Sequence, residues 1–163
     1  MVEGSTGVAS GSLRLVCFEL RGQELALPIE DVRETLTLRP ITRVFLSPPW
    51  LAGIFSLRGD IVPAVDLGVL LGLPRTVPGD DGRLVVVEHG ARVVGILVER
   101  LRELRTVDAD AVEAAPANLA PEVASLLAGV IATPTGTVRV LDGDALFSSQ
   151  RLGALAREEG ASP

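Results

Sequence analysis

Few side chains here could carry out chemistry. The chain holds one histidine, His89, and one cysteine, Cys17. A Ser-His-Asp triad or a metal site would have to rest on His89, which stands beside Gly90 in an expected turn, where a solvated imidazole is the simpler reading. Cys17 lies in a strand pattern with no histidine near it in sequence, so it reads as a small core residue. A lone cysteine cannot close an internal disulfide, in keeping with a reducing compartment. P-loop, dinucleotide-binding and C-x-x-C patterns do not occur, which leaves nucleotide and zinc chemistry without support and no cofactor or metal expected.

Two carboxylates and one charge pair remain. Asp66 in Ala64-Val65-Asp66-Leu67-Gly68 and Asp142 in Val140-Leu141-Asp142-Gly143 each follow two apolar residues. Two such carboxylates sharing a proton could act as an aspartyl hydrolase centre. That chemistry ordinarily places Thr or Ser after the Asp, whereas Leu67 and Gly143 follow here. Helix capping explains both, because a carboxylate ahead of a short apolar helical turn can accept from its orphan backbone N–H groups. Arg58, flanked by Leu57 and Gly59 at a hairpin tip, and Glu34, between Val32 and Leu36, could be two independent solvated charges. Alternatively, they form an Arg–carboxylate contact within an apolar rim, the composition of protein–protein surfaces, and Glu34 is then the mate of Arg58.

The elements that must position these groups are mostly strands. The 163 residues are 47% hydrophobic, enough for one domain or two very small ones. The longest charge-free stretch, Val123–Val138, is broken by Gly129, Thr133, Pro134 and Gly136, so no membrane span is expected. Residues 1–12 have an acidic start and no apolar segment, which predicts a disordered tail rather than a signal peptide, and a cytoplasmic chain. A net charge of −6 and only 3% aromatics disfavour an oligonucleotide-binding β-barrel. Strands are expected over Leu13–Leu20 and Glu24–Ile29, around Val32–Leu36, over Leu51–Leu57 and Ile61–Val65, over Leu84–Val87 and Val93–Val98 with Leu101 and Leu104 continuing that hairpin, and over Val138–Leu141. Pro63 predicts an edge or bulged position. A short helix should run from Pro121 to Gly129, and a final one, capped by Asp142, over Ala145–Glu159.

An internal repeat organises the strands. At a shift of 69 positions Arg14, Leu15, Val16, Glu19, Glu30, Arg33 and Glu34 meet identical residues, and at 76 positions Leu51-Ala52-Gly53, Val62, Asp66 and Leu70 do. This is a tandem duplication, with halves at about 13–74 and 83–148 and a Pro/Gly/Asp-rich boundary at Arg75–Arg83. Units of this size bury only about 60% of their surface alone, so the halves should share an interface. Many short strands with regular turns predict an all-β pair of small barrels related by a pseudo-twofold axis, with short helices and a C-terminal helix whose end and tail occupy 149–163.

The run Gly53–Leu67 (Gly-Ile-x-x-Leu-Arg-Gly-x-Ile-x-Pro-x-x-Asp-Leu), with Val16–Leu20, Leu27–Glu34, Val94–Leu104 and Leu126–Leu146, resembles the CheW family of chemotaxis coupling proteins over about Leu13–Phe147. It departs at Leu25, at Trp50 and at Phe55-Ser56. The resemblance implies two five-stranded β-barrel subdomains around separate hydrophobic cores and no catalysis. It also implies a scaffold that bridges the cytoplasmic tip of a methyl-accepting chemoreceptor to the regulatory domain of a CheA-type histidine kinase. Recruitment to membrane-associated receptor arrays follows, without nucleic-acid binding or membrane insertion. Carried over residue by residue, Val32, Glu34, Gly53, Arg58 and Leu104 fall at positions tied to partner binding, with Leu57, Gly59 and Leu101 adjoining them.

Overall fold

Tight turns set the first level of order. In the computed structural model, which describes residues 11–149 and Leu152, β1 (Ser12–Leu20) turns into β2 (Gln23–Pro28) through Arg21-Gly22. In the same way β4 (Leu51–Leu57) turns into β5 (Asp60–Val65) through Arg58-Gly59. All four turn residues have positive φ, 51° and 78° in the first turn and 51° and 88° in the second. This is type I′ geometry, whose twist matches that of the flanking strands. Glycine adopts it freely, whereas an arginine there costs about 1 kcal/mol. β6 (Arg83–His89) and β7 (Arg92–Val98) form a third hairpin, and β9 (Leu127–Thr133) and β10 (Gly136–Leu141) a fourth. Single strands β3 (Val32–Thr37) and β8 (Arg100–Asp108) lie between the hairpins.

The strands assemble into two five-stranded sheets, ordered β8-β1-β2-β10-β9 and β3-β6-β7-β5-β4. When the repeats are superposed by sequence, β1 to β5 correspond to β6 to β10, and the two orders become identical. Each sheet, however, takes its first hairpin from one repeat and its other three strands from the other. Pro28 and a 3-10 turn at Ile29–Asp31 stop β2 and redirect the chain, so that β3 pairs with β6, Thr35 opposite Val85. A parallel contact stitches the hairpins together in each sheet: Arg139 opposite Leu25 in one, Val65 opposite Ile96 in the other. Arg75–Arg83 thus separates the repeats along the sequence, while the strands flanking it, β5 and β6, share one sheet.

Neither sheet closes into a full barrel, since β8 does not pair with β9 nor β3 with β4. The chain leaving β3 instead folds over and pairs Thr42 with Ile54, and the chain leaving β8 pairs Glu113 with Val130. Gly53 and Gly129 make these approaches possible. A Cβ on either would meet the carbonyl oxygen of Thr42 or Glu113 at 2.3 Å, a distance no side chain tolerates.

The separate cores expected of two barrels exist, but a third and larger one lies between the sheets. Leu15, Cys17, Ala26 and Val140 fill one sheet's inner side, and Phe55, Val62, Leu84 and Val86 the other's. The opposite faces of the same strands, through Phe18, Leu25, Val85 and Ile96, meet in the shared core together with Phe147. The central strands are therefore apolar on both faces, as strands covered on both sides must be. Burial pushes the Cys17 thiol up to about 11, so it stays protonated and inert at neutral pH.

Several local expectations are corrected. Pro63 is neither at an edge nor at a bulge: β5 is interior, and its ladder to β7 starts at Ala64, so that ladder asks nothing of the residue that lacks an N–H. Leu101 and Leu104 do not continue the β6–β7 hairpin but cross to the other sheet, opposite Phe18 and Val16. The helix α2 (Pro121–Ala124) starts on its proline but ends before Gly129, because Leu127–Thr133 is strand β9, which periodicity alone did not reveal. The final helix α3 covers Gly143–Ser148, and the rest of its expected span, apart from Ser149 and Leu152, lies outside the described residues, as does most of the N-terminal tail. His89 ends β6 rather than sitting free in a turn. Its ring stacks on Phe147 at 5.2 Å and its Nδ1 lies 3.3 Å from Asp144.

Candidate functional site

The two aspartates cap helices, as expected, but unequally. Asp66 precedes α1 (Leu67–Leu70) and accepts from the Val69 N–H at 3.3 Å, while also accepting from the Thr76 N–H at 2.9 Å and the Thr76 hydroxyl at 2.7 Å. It is buried, at 2% exposure. Thr76, placed by its surroundings in a linker, thus pins the start of that linker to the helix. Asp142 is half-buried, and among the described residues its carboxylate accepts only from the Ala145 N–H, at 3.1 Å. Both carboxylates are engaged by caps in different parts of the fold and not with each other, so the two-carboxylate centre of a hydrolase is not assembled. Asp66→Ala should cost about 2–4 kcal/mol, because it leaves the buried Thr76 groups unpaired as well as removing a cap. Asp142→Ala should cost about 0.5–2 kcal/mol. Chemical denaturation of the two variants checks this ranking, and equal losses would contradict it.

Arg58 and Glu34 do meet. The Arg58 Nη1 donates to Glu34 Oε2 at 2.7 Å and Nη2 to Oε1 at 2.8 Å, a parallel two-bond fork. The positive φ of Arg58 turns its side chain off the end of the β4–β5 hairpin and across to β3. Hydrogen bonding to Arg58 holds the Glu34 carboxyl below its usual range. A lowered folded-state value means that the pair is intact above the unfolded carboxylate range and is lost only as pH falls through the lowered value. Arg58 faces solvent at 63% exposure, while Glu34 is half-buried at 22%. The fork thus holds the guanidinium rigid while leaving its remaining edge open to another molecule.

The surroundings of the fork mix charge with apolar surface, Arg33, Asp60 and Arg92 lying beside Leu57, Ile61 and Val93. Ile61, 64% exposed, stands beside it. It lines both a hollow of about 290 Å³ with Leu57, Arg58 and Val93 and a groove of about 530 Å³ with Ile54, Phe55 and Thr42. Leu57 is buried in the sheet core and anchors the turn, and Gly59 supplies its second positive φ. Gly53 is buried at the closure of the sheet and offers no side chain to a surface. Val32 and Leu101, equivalent positions of the two repeats, both lean on the shared core and reach its rim from opposite sheets. Leu104 is 55% exposed, on β8 of the other sheet. Sequence reasoning did not single out Ile61, nor the exposed Phe45 and Leu46 in the β3–β4 loop. An apolar pair between Arg43 and two prolines was the available signal for the latter.

A family model described as "CheW-like domain" matches residues 14–151. A chemotaxis protein CheW of Rhizobium meliloti is 27% identical over 150 residues, covering 92% of this chain and 97% of that protein. A probable chemotaxis protein CheW of Rhizobium etli is 28% identical over 138 residues, covering 85% and 89%. The solved structure of scaffolding protein TtCheW from Thermoanaerobacter tengcongensis superposes with a TM-score of 0.75 at 25% identity, covering 85% of this chain and 89% of that one. With its two interlocked five-stranded sheets and a family model spanning most of its length, the chain belongs to the CheW family.

Proposed function

We propose that the chain is a non-catalytic coupling scaffold of a chemotaxis-like, two-component pathway, bridging the regulatory domain of a CheA-type histidine kinase and the cytoplasmic tip of a methyl-accepting chemoreceptor. The observation that carries this reading is the rigid, solvent-facing Arg58–Glu34 fork beside exposed Ile61. An arginine already oriented by a carboxylate loses little side-chain freedom on meeting a partner, and arginine beside apolar surface is the usual energetic centre of an interface. Val32, Glu34, Leu57, Arg58 and Gly59 contribute the surface or its support. Leu101 and Leu104 extend it onto the second sheet, and Gly53 holds the fold behind it. Two sheets offer two faces, which suits a protein that must hold two partners at once.

The chain is expected in the cytoplasm, recruited to receptor arrays through these contacts, and no helix among the described residues is long and apolar enough to cross a membrane. Titration calorimetry with the kinase regulatory domain, and cosedimentation with receptor-tip assemblies, should each give saturable binding. Failure to bind either would remove the coupling role.

A further inference from the structure

A cleft of about 520 Å³ lies between the two connections that leave β3 and α1. One wall is the β3–β4 connection, with Arg43, Ser47 and Pro48, and the other is α1 with the start of the linker, through Val69 and Arg75. Its most buried lining residues are Leu97, Asp66 and Thr76. Backbone hydrogen bonds fix the walls before any ligand arrives. The Thr42–Ile54 pair holds the start of the β3–β4 connection, and the Leu51 N–H donates to the Pro48 carbonyl at 3.0 Å. The Asp66 N–H donates to the Trp50 carbonyl at 2.7 Å, which ties one wall to the other, and Thr76 is bonded to the Asp66 carboxylate. A preformed cleft of this size, mostly apolar with a few polar groups, is the ordinary form of a small-molecule site.

The free charge in the cleft has one sign. Arg43 and Arg75 come from opposite walls, both are exposed, and neither has an ion-pair or hydrogen-bond partner among the described residues. Arg58, Arg100 and Arg102, by contrast, each face a carboxylate. The one carboxylate in the lining, Asp66, is 2% exposed and already accepts from the Val69 N–H and from both donors of Thr76. No acidic residue occurs from Thr35 to Gly59, which includes the whole β3–β4 wall. Two guanidiniums therefore stand at the cleft with no counter-charge of their own.

We infer that the cleft binds a small organic phosphate, a phosphate monoester whose organic part is apolar or aromatic and about the size of a nucleoside. Arg43 and Arg75 hold the phosphate, and Pro48, Leu51 and Val69 receive the organic part. A phosphate monoester is close to a dianion at neutral pH and presents three acceptor oxygens, enough to meet both guanidiniums. A single carboxylate has two oxygens and one charge, which one arginine fork already satisfies. The apolar walls give the organic part a place out of water, which a bare phosphate ion cannot use. The cleft shares no lining residue with the two hollows beside the Arg58–Glu34 fork. Failure of this inference would thus leave the coupling reading standing.

Adenosine monophosphate and guanosine monophosphate, titrated into the full chain, should bind saturably by calorimetry and shift the amide NMR signals of Ala52, Val69 and Thr76. Arg43→Gln and Arg75→Gln should each weaken that binding about tenfold, the loss of one charge-assisted partner, with unchanged thermal melts. Val69→Phe, which fills the cleft and keeps both arginines, should abolish it. Inorganic phosphate alone and adenosine alone should each bind at least about tenfold more weakly than the nucleotides, since each lacks half of the contacts. No saturable shift at those amides with either nucleotide, binding indifferent to both arginine changes, or inorganic phosphate binding as tightly as the nucleotides would overturn the inference. So would a chain that ignores nucleotides but cosediments with phosphatidic acid vesicles through Arg43 and Arg75, which would assign the pair to a lipid headgroup.

Discussion

Cleaving the chain between Gly79 and Asp80 should yield two fragments, neither of which melts cooperatively alone, while an equimolar mixture should regain a native-like circular dichroism spectrum and a single transition. The first fragment keeps the β1–β2 hairpin but loses both strands that flank it, β8 and β10, and its β3 and β5 lose β6 and β7. The second fragment suffers the mirror loss. The shared core divides as well, with Phe18 and Leu25 parted from Val85, Ile96 and Phe147. Whole domains are stable by only about 5–15 kcal/mol, and removal of two sheet partners together with half of the largest core exceeds that margin. Reconstitution is expected because each fragment carries the strands the other lacks. A cooperative melt from either fragment by itself would show that the interlocking is dispensable.

If the proposed interface is right, Arg58→Ala should weaken partner binding by about thirtyfold or more, the effect of truncating a central interface arginine, yet barely move the melting temperature. The reason for the split is exposure: an ion pair open to solvent contributes little to folding, whereas its free edge becomes desolvated against a partner. Glu34→Ala should weaken binding less than Arg58→Ala, since it releases the guanidinium from its fork without removing it. Arg58→Gly keeps the turn's positive φ without a Cβ, and its melting temperature should be at or above that of Arg58→Ala. Calorimetric affinities for the kinase domain and the receptor assemblies, taken beside thermal melts, distinguish the outcomes. Unchanged affinity for both partners would remove Arg58 from the interface, and a collapsed melt would make it a structural residue.

Local chain chemistry was legible in the residues themselves. Arg21-Gly22 and Arg58-Gly59 flanked by apolar runs specified hairpins, because few turns satisfy that twist and a glycine at the second position permits it. Asp66 and Asp142 ahead of apolar turns specified caps, because the orphan N–H groups of a helix start need a nearby acceptor. The duplication, visible as identities at two fixed shifts, already implied that β9 repeats β4, and it is there that Leu127-Ala128-Gly129, read as the end of a helix, turns out to begin a strand. Composition and patterning also set the all-β class, since alternating apolar positions with short spacings leave little else.

Partnership between distant strands was decided only in three dimensions. Nothing within Leu101–Leu104 indicates that it will cross to β1 rather than extend the β6–β7 hairpin, because its apolar spacing suits either neighbour. The choice comes from burial, for only the exchange of strands lets both faces of β1, β2, β6 and β7 be covered and creates the shared core. Pro63 illustrates the same limit, its missing N–H being harmless in an interior strand solely because the ladder to β7 begins one residue later. Thr76 bonds to Asp66 across ten positions, and Gly53 is required by the carbonyl of Thr42. The pairing of Arg58 with Glu34 was inferable as charge complementarity, but its two-bond geometry depends on a turn conformation that aims the guanidinium from one strand pair onto another. Such contacts depend on where separate segments lie after the chain has packed, and residue identity constrains that only through the whole.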